Sequence, residues 1–396
     1  MLFLLLHASG ARGEELSDPL TKGRVFLDMR LRFENVDQGG FSKNAEAATI
    51  RERLGYETPE FWNLKALIEL EATQHLSNAF NDTINGRVSY PTVPDPENFE
   101  LNRLQIVYTA KPGLTATVGR QVINLDDQRF VGAVAFRQNE QTFDAVRLDY
   151  SEISGLTATY AYIDRVNRVF GERSPAGHFD GNIHLFNLGY DISDIGKLTA
   201  YTYLLDLDQS PLLSTATYGL QIGGAHKLSD NLKLRYLIGY ARQQDYADNP
   251  LKFSLDYWRA EAGIDYDAWS LTLGSESLGG NGTIGFSTPL ATLHPFQGYA
   301  DVFLNTPARG IADRYARLGY RMSIEAFGAS RALSAAVWYH DFEASHGSGD
   351  LGHELDFESS AKIDEHWKID FAYATYSGVA GFADRNKVWL SLTVSY

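Results

Sequence analysis

From residue 24 onward, apolar and polar side chains alternate with a period of two. In VFLDMRLRFE, Val25, Leu27, Met29, Leu31 and Phe33 share one face, and Asp28, Arg30, Arg32 and Glu34 share the other. That rhythm is the signature of a strand with two chemically different faces. About eighteen segments carry it: 23–34, 47–57, 63–73, 100–110, 114–121, 142–150, 155–165, 183–191, 196–206, 216–226, 231–242, 255–266, 269–277, 312–322, 333–342, 352–361, 365–376 and 386–396. Most run near ten residues, the length a tilted strand needs to cross a bilayer. Strands of soluble proteins average about five or six residues. A single alternating strand suits a soluble sandwich equally well, so the joins between strands decide.

Connections after even-numbered segments are short: 111–113, 151–154, 192–195, 227–230 and 362–364. Those after odd-numbered segments are long: 35–46, 74–99, 122–141, 166–182 and 278–311. An outer-membrane barrel with short periplasmic turns and long external loops requires this parity, whereas Greek-key sandwiches give no reason for it. The expected fold is therefore all-β: one transmembrane antiparallel up-and-down barrel over 23–396, of eighteen strands. Sixteen is the alternative if one pair merges, and 323–332 is the one place where the pattern blurs.

Composition narrows the function. No run after the first residues reaches the roughly 20 apolar residues of a membrane helix, and mean hydropathy is -0.26, so any crossing uses strands. With no cysteine, thiolate metal sites and cysteine nucleophiles are out. A net charge of -15 disfavours nucleic acid as a partner. Residues 1–13, an apolar MLFLLL followed by small residues, read as a secretory leader lacking its basic start. Tyr160, Tyr162, Tyr190, Tyr236, Tyr240, Trp258, Tyr266, Tyr320, Trp367 and Tyr373 fall on the outward parity near strand ends, as interfacial girdles do. The last strand ends on Tyr396. An alternating strand with a terminal aromatic resembles the signal by which the barrel-assembly machinery receives its clients.

The opposite parity faces the lumen. It carries Arg30, Arg32, Arg51, Arg53, Arg103, Arg147 and Arg165 early in the chain, and Arg259, Arg317 and Arg321 later. Acidic inward positions include Glu69 and Glu71, with Glu354, Asp356 and Glu358 gathered late. Either these charges pair and brace the wall, or the arginines form a path for anions, since guanidinium groups bind carboxylates through two parallel hydrogen bonds. The loop 122–141 is placed to fold inward and narrow the pore. It adds Arg129 and Arg137, with Asp126, Asp127, Gln138 and Asn139 as partners; the alternative is an ordinary loop in solvent.

GRQ, LDDQRFVG and FRQNEQTFDAVR within 119–147 resemble the alginate export family of outer-membrane barrels. So do IRERLGYETPEFWNLKALIELE, TYLLDL with TYGLQIGG and YARQQDY, and FSTPLATLHPFQGYADVFLNTPARGIADRY. The resemblance implies an eighteen-stranded barrel with an arginine-rich lumen that conducts a negatively charged polyuronate such as alginate. The expected partners are an anionic solute or polyuronate and outer-membrane lipid; the expected location is the bacterial outer membrane. A general small-solute porin without anion selectivity is the alternative.

An outer-membrane hydrolase is the rival from another class. Asp126 and Asp127 offer it an acid pair, but no histidine lies nearby and a nucleophile beside an orienting base is missing. The segment His340–Glu354, with four acids and three histidines, is read as a polar external loop rather than an ion site. No phosphate-cradling glycine loop is present, and the expectation is no cofactor, no metal and no catalysis. The Gly- and Pro-containing segment 278–311 either plugs the pore or caps its mouth, and a cap is favoured.

Overall fold

The computed structural model describes residues 22–326, 329–379 and 381–396. The leader expected at 1–13 lies outside the described residues. Eighteen strands run through them: β1 (Arg24–Gln38), β2 (Ala45–Glu57), β3 (Leu64–His75), β4 (Asn98–Lys111), β5 (Leu114–Gln121), β6 (Thr142–Tyr150), β7 (Leu156–Asn167), β8 (His178–Ile192), β9 (Gly196–Leu207), β10 (Thr215–Lys227), β11 (Leu232–Asp245), β12 (Ser254–Tyr266), β13 (Trp269–Leu278), β14 (Ile311–Ala326), β15 (Ala329–Glu343), β16 (Asp350–Lys362), β17 (Trp367–Gly378) and β18 (Arg385–Ser395).

Each strand pairs antiparallel with its neighbours in sequence, and β1 also pairs with β18 from Asp28↔Ser395 to Gln38↔Arg385. The sheet is thereby closed. In hydrocarbon an unpaired N–H or C=O costs several kcal/mol, and closure removes both edges at once. The blurred stretch resolves because β14 and β15 extend into it and meet at Ala326↔Ala329. Short turns and longer loops alternate as the parity requires, except that 39–44 and 58–63 are equal at six residues each.

Register sorts the two faces. Leu31 lies between Ile50 and Leu392, while Arg30 lies between Arg51 and Thr393. Leu54, Leu104, Ile106, Leu220 and Ile238 are at least half exposed and form the outer apolar band. Tyr190, Tyr240, Trp258, Tyr266 and Trp367 stand exposed on the same surface.

The alternation slips in β7. A register shift between Ile163 and Arg165 takes up one residue. Arg165 then stands opposite Asp144 and Asp180, which share outward parity with exposed Val146, Leu148, Phe186 and Leu188. Arg165, expected in the lumen, is on the outer face, 2.8 Å from Asp180. His340 also departs from expectation. It belongs to β15 rather than an external loop, and it is buried with Nδ1 2.9 Å from Asp313.

Much of the lumen is filled. Ile123, Leu125 and Val131 from the 122–141 loop, and Phe286, Leu290, Ala300 and Phe303 from 279–310, pack with inward-facing Ile163, Ile183, Leu185, Tyr201, Tyr203 and Tyr257. A second cluster joins Phe80 and Val93 of the β3–β4 loop to Val36, Ala45 and Ala47.

Candidate functional site in the lumen

The 122–141 loop crosses the barrel from wall to wall. At one side Asn187 of β8 donates to Asp126 at 2.7 Å, and Arg259 of β12 meets Asp127 at 2.5 Å. Burial raises the pKa of Asp126. At the other side the Gln138 amide side chain donates to Thr49 at 2.7 Å and accepts from Arg30 at 2.9 Å. Its backbone N–H donates to Asp95 of the β3–β4 loop at 2.9 Å. Asn139 donates to the Pro96 and Val169 carbonyls at 3.2 and 3.1 Å. Arg30 also donates to the Ala135 and Arg137 carbonyls, and Arg32 to that of Phe136. Two lumen arginines thus grip this loop by its backbone.

Arg129 and Arg137 reach the second long loop. Arg129 pairs with Glu276 of β13 at 2.7 Å and donates to Gln297 at 3.0 Å. Arg137 lies within 3.5 Å of Glu34, Asp95 and Asp301. Burial alone lowers the pKa of a guanidinium, but these carboxylates outweigh it, and Arg129 and Arg137 both sit above the ordinary value. Four further lumen arginines brace the wall: Arg51 with Asp28, Arg53 with Glu71 at 2.5 Å, Arg103 with Glu69 at 2.5 Å and Arg147 with Asp149 at 2.8 Å.

Loop 279–310 folds inward and is not the favoured cap. It runs against the first loop through a Val131–Leu290 bridge and donors from Gln141 to the Leu290 carbonyl. The Tyr299 and Ala300 amides donate to Asp356 at 3.2 Å and Glu354 at 2.6 Å on β16. Gly298 permits this approach: its φ is +82°, and a Cβ there would lie 2.5 Å from the Glu354 carboxyl carbon. The late acidic residues therefore anchor a loop.

Two cavities flank the meeting point of the loops. An outer one of about 310 Å³, on the long-loop side, is lined by Arg137, Arg168, Arg385, Lys387 and Asp301 among apolar residues. An inner one of about 560 Å³, on the short-turn side, is lined by Arg30, Arg32, Arg317, Arg321, Lys368, Glu358 and Asp370. His294 lines both cavities. Its ring stacks on Phe136 at 3.5 Å and on Tyr299 at 4.8 Å, and Nδ1 lies 2.8 Å from Asp301.

Sequence reasoning passed over His294, Asp301, Arg168, Arg385 and Lys387. For Lys387 a signal existed: Val388, Leu390 and Leu392 share the outward face of β18, so its neighbour points inward. The others lie in loops or at a strand start, where alternation carries no information. Among the described residues, no cluster of three or more His, Asp or Glu has metal-binding geometry.

A closed barrel of this size with an apolar outside, a charged inside and two infolded loops defines an outer-membrane channel of the porin type. The chain belongs to the alginate export family, whose model matches residues 24–263. It is similar in structure to OccD3 (OpdP) of Pseudomonas aeruginosa, with a TM-score of 0.72 and 14% identity over 95% of this chain and 91% of that one. OccAB2 of Acinetobacter baumannii gives 0.74 and 14% over 96% and 99%, and OccK9 (OpdG) of Pseudomonas aeruginosa 0.67 and 15% over 96% and 100%. At these identities the likeness speaks to the fold. No curated protein sequence matches significantly. The protein is one of the bacterial outer membrane, and its family and structural neighbours are channels rather than enzymes.

Proposed function

We propose that the protein is a passive channel that favours anions, with acidic oligosaccharides among the candidate solutes. The supporting observation is the sign of charge along the water path. The outer cavity has four cations, Arg137, Arg168, Arg385 and Lys387, against the one carboxylate of Asp301. The inner cavity has five, Arg30, Arg32, Arg317, Arg321 and Lys368, against Glu358 and Asp370. This excess exists in a chain whose net charge is -15. Low-dielectric walls focus such a field on the solute.

Arg30 and Arg32 act in this reading both as path and as supports for the loop. Arg51, Arg53, Arg103 and Arg147, tied to carboxylates, shape the wall, and Asp126, Asp127, Gln138 and Asn139 moor the 122–141 loop. No reaction is assigned, because Asp126 and Asp127 are engaged by Asn187 and Arg259. Lipid contacts the outer band, and the strand ending at Tyr396 is the surface offered to the barrel-assembly machinery.

The test is the reversal potential of single channels in planar bilayers under a KCl gradient. Anion preference is expected, reduced in Arg321→Ala and Arg317→Ala. A cation-favouring wild-type channel defeats the reading. The general-porin alternative gains from the number of arginines already neutralised by wall carboxylates, and an unselective current would favour it.

A further inference from the structure

Three buried carboxyl groups lack the cation that others in the lumen have. Glu34, Glu69, Glu71, Glu276 and Asp301 each hold an arginine or lysine nitrogen within 3.1 Å. Among the described residues no such nitrogen stands within 4 Å of Asp313 on β14 or of Glu354 and Asp356 on β16, all three buried. Asp313 is served by His340 of β15, whose Nδ1 lies 2.9 Å away. The Nε2 of the same ring is 3.7 Å from Asp356, too far for a hydrogen bond.

Glu354 and Asp356 lie two residues apart on the inward face of one strand, and their carboxyl groups are in hydrogen-bond contact. Each accepts one amide of loop 279–310: that of Ala300 on Glu354 at 2.6 Å, that of Tyr299 on Asp356 at 3.2 Å. The other oxygens, Glu354 Oε2 and Asp356 Oδ1, are buried and receive no donor. Two ionised carboxylates only accept and cannot bond to each other; an acid beside a carboxylate can, through one proton. The surrounding groups are engaged elsewhere. Arg317 of β14 pairs with Glu358 at 3.0 Å, Lys387 of β18 with Asp301 and Glu34, and Arg385 donates to the Ala300 and Asp301 carbonyls. Tyr299 donates its hydroxyl to Glu358 at 2.8 Å, and Tyr376 of β17 donates its own to the Leu351 carbonyl. None of them supplies the missing proton.

We infer that Glu354 and Asp356 share one proton, and that this proton latches loop 279–310 inward and makes the channel open with alkali. Its transfer to hydroxide forms water and leaves two carboxylates in contact away from solvent. They repel, and water can reach them only if the Tyr299–Ala300 segment lifts away. The docked state therefore holds one proton more than the released one, and the released population grows as pH rises, by at most about tenfold per pH unit. Tyr299 also stacks on His294 at 4.8 Å, so its release disturbs the partition between the two cavities. A carboxyl buried with no cation beside it keeps its proton to about pH 8–9 in the strongest cases. Tyrosine and lysine, at about 10 and 10.4, ordinarily titrate above that. The inference rests on the protein being a channel and not on which ions it favours.

Single-channel recording in planar bilayers between pH 7.5 and 9.5 tests the latch. The wild type is expected to visit a larger conductance, with occupancy rising up to about tenfold per pH unit. Glu354→Gln keeps an oxygen for the Ala300 amide, donates its own N–H to Asp356 and has no proton to lose, so its response should be flat. Asp356→Asn should behave alike. Constant wild-type conductance over this window overturns the inference, as does an alkaline rise of wild-type size in either folded variant. Should neither variant fold, hydrogen exchange of the wild type decides. Protection of the segment with Tyr299 and Ala300, corrected for the intrinsic exchange rate, is expected to fall over the window, and unchanged protection overturns the latch. Reversal potentials from the same channels keep the readings apart: cation selectivity with an alkaline opening removes only the anion reading, and anion selectivity without one removes only the latch.

Discussion

The imidazole of His294 lies 3.5 Å from the ring of Phe136, centroid to centroid and 13° from parallel. One residue comes from each infolded loop. Trp389 of β18 meets both rings edge-on, at 5.4 Å from His294 and 5.9 Å from Phe136. The stack stands between a cavity open to the long-loop side and one open to the short-turn side, so it joins the loops where the water path is divided.

Phe136→Ala should loosen that join. An aromatic pair is worth about 0.5–1.5 kcal/mol beyond its burial, and about 1 kcal/mol raises the undocked population roughly fivefold. Single-channel conductance should rise, and solutes excluded by the wild type should enter in liposome swelling assays. Unchanged conductance would mean that the stack does not limit the path.

Arg129 and Glu276 are 2% and 3% exposed, and Tyr257 and Gln297 complete the cluster. Arg129→Ala strands a buried carboxylate, at about 3–5 kcal/mol. An Arg129→Met/Glu276→Leu double variant removes both charges and should be much less destabilised. Heat modifiability on gels, read as the temperature of barrel unfolding, checks the order. Equal losses in the single and double variants would assign no net role to the pairing.

Much of the wall was legible from alternation alone: Arg30, Arg32, Arg51 and Arg53 lie inside because Leu31, Ile50 and Leu54 must face lipid. Arg165 was misplaced because the one-residue slip beside it leaves no mark on a period of two. The 279–310 loop turned inward through the amides of Tyr299 and Ala300, groups that every sequence possesses and none advertises. Nothing in the sequence brings Arg168 and Arg385 together; only folding shows that both line one cavity.

Asp301 is the one carboxylate of the outer cavity, and it neutralises Lys387 at 2.6 Å and Arg137 at 3.4 Å. Asp301→Asn keeps its shape and removes the charge. Glu34 still holds both cations, at 3.3 and 3.1 Å, so the fold should survive. The reversal potential should move further toward the anion limit. A shift toward cations would contradict the electrostatic account.

Acidification should weaken the junction of the loops through His294. Burial lowers its pKa below the ordinary value; Asp301 opposes that, while Arg137 and Lys387 add to it. Asp301 itself sits low: burial alone would raise it, but Lys387, His294 and Arg137 outweigh burial. The docked loops therefore hold His294 neutral and Asp301 ionised. For a histidine with a lowered pKa the docked state binds fewer protons than the undocked one, so docking is most stable above the ordinary value of about 6.5 and weakens as pH falls below it. The contribution of Asp301 is complete above its ordinary value of about 3.9 and is lost only as pH falls below it. Of this pair only the histidine changes protonation between pH 7.5 and 5, and conductance should rise across that window. His294→Gln removes the titration and should flatten the response. An equal rise in the variant would place the pH dependence elsewhere in the barrel.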